Sequence, residues 1–222
     1  MTAKELRLDY FKIYDVKNVK AEGSMTLKGQ FDKVAQRFEL ALLDFFANPV
    51  AKNAEPLYDQ NAHLTWYRGI HGREPARRVV VDNQLGRAEL KILGGAGLLV
   101  PTEKVERGSA FPKTLDHYKL YTVAEGAQAP RCQLKLRDQF GNDRVKVGVP
   151  RFFAVPVLKR RGDKVFPIQN DRAHLVIYSI TSREAEKTLT LKNQFGGARR
   201  VSVVRSVMLA APSLKVGWEP AS

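Results

Sequence analysis

The chain repeats itself four times, and that periodicity leaves few folds open. Gln30-Phe31-Asp32 leads to Pro49 and Lys52, Gln84-Leu85-Gly86 to Pro101 and Lys104, Gln139-Phe140-Gly141 to Pro156 and Lys159, and Gln194-Phe195-Gly196 to Pro212 and Lys215. Each copy, about 50 residues long, reads strand, connection, strand, turn, strand and a Pro-x-x-Lys tail. The copies are also paired. Tyr14 and Tyr121, Phe45-Phe46 and Phe152-Phe153, and Pro49 and Pro156 lie 107 positions apart, while His63 and His174, Pro101 and Pro212, and Lys104 and Lys215 lie 111 apart. Single alternating strands leave one apolar face uncovered, so neighbouring repeats must cover one another. The expected fold is all-β: four repeats forming two pseudo-twofold β-sandwich or barrel units, residues 1–107 and 111–222, with a four-bladed propeller-like ring as the alternative. The boundary is expected within 105–114, around Arg107-Gly108-Ser109 and Phe111-Pro112.

Local patterns support this reading. Tyr10 to Tyr14, His63 to Tyr67, His117 to Tyr121 and His174 to Tyr178 are aromatic and β-branched openings of the four repeats. Gln133-Leu134-Lys135-Leu136-Arg137 and Arg144-Val145-Lys146-Val147 alternate strictly across the third turn. The segment from Val34 to Phe46 fits either a strand or a helical turn, and the cleaner alternation of its counterparts favours strand. Gly94, Gly95 and Gly97 lack the lysine of a phosphate-binding loop and are read as a turn or bulge.

Chemistry is scarce. One cysteine, Cys132, excludes an internal disulfide framework and a thiolate cluster, and its alternating surroundings suggest packing. No pair among His63, His71, His117 and His174 has the spacing of a local zinc motif, and no cofactor motif occurs. His63, His117 and His174 share one repeat position, which Tyr10 takes in the first copy; a group recurring in every repeat is expected to cap a neighbouring turn. In the Gln-Phe-Gly turn the ring should be buried, the glycine should take positive φ, with Asp32 substituting for it, and the glutamine amide should satisfy turn carbonyls. No nucleophile elbow is visible, and carboxylate pairs are scarce in the second half, where Asp138 and Asp143 flank one turn and are expected to serve it, so the expectation is a protein that is not an enzyme.

Charge is the one feature that points outward. The net charge is +14; residues 1–110 carry 17 Lys/Arg against 14 Asp/Glu, and residues 111–222 carry 20 against 9. Clusters at Lys159-Arg160-Arg161 with Lys164, at Arg199-Arg200 with Arg205, and at Arg144 with Lys146 are the candidate anion- or partner-binding residues. Lysine-rich strands also serve to keep sheet edges from pairing. The opening residues lack a secretory pattern, and no apolar run approaches the ~20 residues of a membrane-spanning helix. Both the cytoplasm and a mature exported form fit this reading.

The repeat unit resembles a bacterial repeat domain of unknown function, usually found in exported proteins, with units reading His-Phe-Lys-Cys-Tyr, Asp-Gln-Phe-Gly and Leu-Cys-x-Pro-x-x-Lys. The matching segments are His117-Tyr118-Lys119-Leu120-Tyr121, Asp138-Gln139-Phe140-Gly141 and Phe153-Ala154-Val155-Pro156 through Lys159, then His174 to Tyr178, Asn193 to Gly196 and Leu209 to Lys215. Leu120, Ala154, Ile177 and Ala210 stand at that pattern's cysteine positions. The resemblance implies that exported relatives can staple their units there, and apolar replacements suit a reducing compartment. It brings no catalytic residue.

The functional expectation is a noncatalytic structural or interaction protein whose basic second half docks onto an acidic protein or anionic polymer. The alternative is a nucleic-acid-binding protein using the same patch, with Phe152-Phe153 beside Arg151 as its partial stacking surface.

Overall fold

A computed structural model describes residues 3–106, 108–112 and 114–221. After one short helical turn, α1 (Ala3–Leu6), the chain is all β. The first repeat holds β1 (Tyr10–Lys20), β2 (Ser24–Lys28) and β3 (Gln36–Lys52); the second holds β4 (His63–His71), β5 (Arg77–Asn83) and β6 (Gly86–Lys104). The third holds β7 (His117–Val123), β8 (Gln133–Asp138), β9 (Gly141–Arg161) and the short β10 (Lys164–Phe166). The fourth is a single long hairpin, β11 (His174–Asn193) and β12 (Gly196–Pro220). The ambiguous segment 34–46 is strand from Gln36 onward, and the glycine-rich stretch is a bulge, with register shifts at Gly95 and Gly97 against β7.

The opening and closing strands of the repeats form a closed antiparallel ring. β1 pairs with β3, β3 with β4, β4 with β6, β6 with β7, β7 with β9, β9 with β11, β11 with β12, and β12 with β1 again. The chain is all β as expected, and each of the four repeats gives two strands to this single closed barrel, which is neither a set of radial blades nor two separate rings. The connection at 105–114 joins β6 and β7, which are hydrogen-bonded neighbours, so the halves 1–107 and 111–222 meet edge to edge. The physical reason is that closure leaves the ring without a free edge.

Alternation sorts the side chains. Phe11, Ile13, Leu64, Trp66, Tyr118, Leu120, Leu175 and Ile177, two from each opening strand, form one core with Ala47, Leu99, Ala154 and Ala210 of the closing strands. This is the barrel interior, and an eight-stranded ring is just wide enough for such side chains to fill. Trp66 packs against Phe45 and Phe152, and a Cβ on Gly97 would come 2.6 Å from its indole nitrogen, so glycine is what admits the ring.

The outward faces are covered by the middle of each repeat. In every copy the hairpin between the opening and closing strands docks on the tail of the closing strand two repeats away: β2 on β9, β5 on β12, β8 on β3, and the end of β11 on β6. The two outer cores mix halves in the same way. Val79, Val81, Leu134, Leu136, Val145 and Val147 pack with Tyr10, Tyr121, Phe153 and Tyr178, while Met25, Leu27, Val201 and Val203 pack with Tyr14, Tyr67, Leu98 and Val157.

Candidate functional site

The residues that recur once per repeat meet at the seams between repeats. Gln139 Nε2 lies 3.1 Å from His63 Nε2, and Gln194 meets His117 in the same way; in the first repeat Tyr10 donates its hydroxyl to Gln84 Oε1 at 3.0 Å. Each glutamine thus reaches the opening strand of the preceding repeat, not the turn carbonyls. Gln30 departs, donating instead to the carbonyl of Asp171. His63 Nδ1 faces the Asn61 carbonyl and His174 Nδ1 the Arg172 carbonyl, both at 3.0 Å, which fixes the proton on Nδ1. Burial pushes both imidazoles down to about 4.

The Pro-x-x-Lys lysines complete these seams. Lys104 Nζ stands 5.9 Å from the Phe140 ring, Lys159 4.9 Å from Phe195 and Lys215 5.2 Å from Phe31, each over the turn aromatic of the next repeat. The second repeat has Leu85 at that place, and Lys52 lies 5.3 Å from Tyr10. A further set of bonds joins opposite repeats. Asn83 Nδ2 donates to the Tyr178 hydroxyl at 3.1 Å, Asn193 Nδ2 to the Tyr67 hydroxyl at 2.8 Å, and the Tyr14 hydroxyl donates to Asp138. The same three Asx side chains accept the N–H two residues on, at Leu85, Phe140 and Phe195. Positive φ occurs at Gly86 and Gly141 but not at Gly196 or Asp32; Asp32 instead closes its turn by accepting the Gly29 N–H.

Two buried charge clusters lay outside the sequence expectations. Lys12 pairs with Asp143 and lies 3.7 Å from Asp138, while Lys119 meets Glu74 at 2.8 Å and Asp32 at 3.2 Å. Burial raises the Asp143 carboxyl, but the Lys12 and Arg183 contacts prevail and hold it below the usual range. Lys12 and Lys119 are 107 positions apart, the spacing of Tyr14 and Tyr121, and that was the available signal. The first cluster floors an open polar depression of about 330 Å³ with Arg183, Glu184, Glu186 and Lys187 on its rim.

The nine basic candidates separate. Arg161 donates to the Gln194 carbonyl and reaches within 3.9 Å of the Cβ position of Gly23, and Arg199 donates to the Lys20 carbonyl at 3.1 Å beside Gly196. Both guanidinium groups therefore flank one place, where the fourth turn meets the β1–β2 connection. Arg160, Lys164 and Arg200 are exposed on the adjoining strands. Arg144 and Lys146 are also exposed, but Arg144 borders a different depression, beside Asn53 and Ala54. Arg205 is paired with Asp15 at 2.9 Å. Lys159 is not on the surface at all: its exposure is 0%, because the residue at this tail position points into the seam. Phe153 is buried and Phe152 packs edge-on against Trp66, so these rings are spent in the cores.

Residues 63–211, more than half of the chain, match the family described as a repeat of unknown function, DUF7450. The chain belongs to the DUF7450 repeat family. No curated protein matches it, and no solved structure does. In this DUF7450 protein the residues that define the repeat are those that sew repeat to repeat, and Cys132 is half-buried against an outer core with its thiol pushed up by burial. No helix of the described residues is long and apolar enough to cross a membrane.

Proposed function

We propose that this protein is a noncatalytic interaction module that docks onto an acidic protein surface or anionic polymer through Arg160, Arg161, Lys164, Arg199 and Arg200. The observation that supports this reading is the convergence of Arg161 and Arg199 on the junction of the fourth turn with residues 20–23. Among the described residues none of these five forms an ion pair, whereas Arg37, Arg68 and Arg183 all do. Arg161 and Arg199 flank one junction with no carboxylate paired to either among the described residues, and an anion lying there offsets that charge. The nucleic-acid alternative has less support, since Phe152 and Phe153 offer no exposed stacking face.

The test is retention of the full chain on an immobilised polyanion across a salt gradient, with R160E/R199E/R200E as the comparison. The variant should elute at clearly lower salt than the parent, and the parent should shift steeply with ionic strength. Equal elution of the two, with both folded by circular dichroism, rejects this surface.

A further inference from the structure

The seam between the third and fourth repeats differs from the other three. Lys52 has Glu55 at 2.7 Å and Lys104 has Glu106 at 2.9 Å, and Lys215 is half-buried with Asp171 in its field. Lys159 is fully buried, and among the described residues no carboxylate lies within ion-pair distance of it. Its Nζ lies 3.0 Å from His117 Nε2, 4.1 Å from the Phe166 ring and 4.9 Å from Phe195, with Arg161 the neighbouring charge. Burial, then Arg161, pushes the amine down to about 7. A buried ammonium without a counter-ion is costly, which is what loosens this amine's hold on its proton, and an anion beside it would offset that cost.

A cavity lies on the other side of the groups that touch this amine. It is an open cleft of about 680 Å³ with Phe111, Pro112, Leu115, Val165, Phe166 and Pro167 as its apolar lining, and His117, Gln194 and Lys192 are among its polar groups. Phe166 is brought there by β10, a strand that among the described residues has no counterpart in the other repeats. His117 and Phe166 are thus shared: each touches Lys159 Nζ and each faces the cavity. Apolar walls ending in a few convergent polar groups are the usual build of a small-molecule site.

We propose that this cavity binds a small carboxylic acid with an apolar, ring-sized body, the carboxylate supplying the counter-ion that Lys159 lacks. The ring is held between Phe111 and Phe166, and the carboxylate lies at the His117 end, where a shift of the Phe166 ring opens Nζ to it. A neutral molecule of the same shape gains the walls but not the charge.

The probes are benzoate and benzyl alcohol, titrated into the full-length protein and followed by amide chemical shifts. Benzoate should bind at least about tenfold more tightly than benzyl alcohol, a charge-assisted hydrogen bond's worth of discrimination, with the shifts concentrated at 110–117, 165–169 and 192–195. In K159M the preference for benzoate should vanish while benzyl alcohol binds as before. Equal affinities in the parent, shifts centred elsewhere, or no saturation by benzoate at about 10 mM each overturn the proposal. If K159M does not fold, the parent titrations decide alone, because the neutral isostere isolates the charge.

Discussion

Histidine and glycine carry the sharpest consequences at the scale of single residues. His63 and His174 are held neutral by burial, at about 4 against the ordinary 6.5, so the unfolded chain binds more protons than the folded one between those values. Stability is therefore intact above pH 6.5 and is lost as the pH falls toward 4, by up to about 1.4 kcal/mol per pH unit for each histidine. Urea unfolding across that window should show the slope, and H174Q should flatten it by one proton's share. Gly97 makes a separate prediction. Its φ is +154° and a Cβ would press on Trp66 at 2.6 Å and on the Tyr67 carbonyl at 2.7 Å. G97A should cost about 2–4 kcal/mol in the same assay, from overpacking rather than from lost contacts. A G97A protein as stable as the parent would mean that the barrel interior can yield.

The hairpins are the elements that decide how the repeats communicate. Each is amphipathic, and each buries its apolar face against the ring while pairing its edge with a tail two repeats distant. The Lys12 and Lys119 clusters lie under two of these dockings, in repeats one and three, with charges contributed from both sides. Removing one partner of a buried pair strands the other. K12M should lower stability by about 3–5 kcal/mol, and K12M/D138N should recover part of that loss, since Asp143 keeps Arg183 whereas Asp138 is the carboxylate left without a cation. Simple additivity of the two changes in a double-mutant cycle would show that the pair contributes no coupling.

For the whole molecule, the decisive fact is that every docking crosses between the chain halves. β2 and β3 reach β9 and β8, and β5 and β6 reach β12 and β11. Residues 3–106 alone would leave four hairpin and tail edges open and half of the barrel missing. Expressed separately, 1–107 and 111–222 should each be unfolded or self-associated, and mixing them should restore a one-to-one complex with the native β spectrum. Size-exclusion chromatography with circular dichroism checks this. Two independently folded monomers would show that the ring is not the cooperative unit.

Much of this architecture was legible in the chain itself. The fourfold motif, the 107 and 111 spacings and the alternation of Leu134, Leu136, Val145 and Val147 determined an all-β repeat protein, because period-two burial and self-covering repeats are local properties. The structural role of the recurring histidines followed from their recurrence. What the tertiary structure decided was every pairing between repeats: that the strands close into one ring, that Gln139 seeks His63, and that Lys12 finds Asp143 at a sequence distance of 131. It also decided which charges are outside. Lys159, Arg160 and Arg161 are consecutive, yet one is buried and the next exposed, because a strand turns successive side chains to opposite faces and only the packed neighbour tells which face is covered.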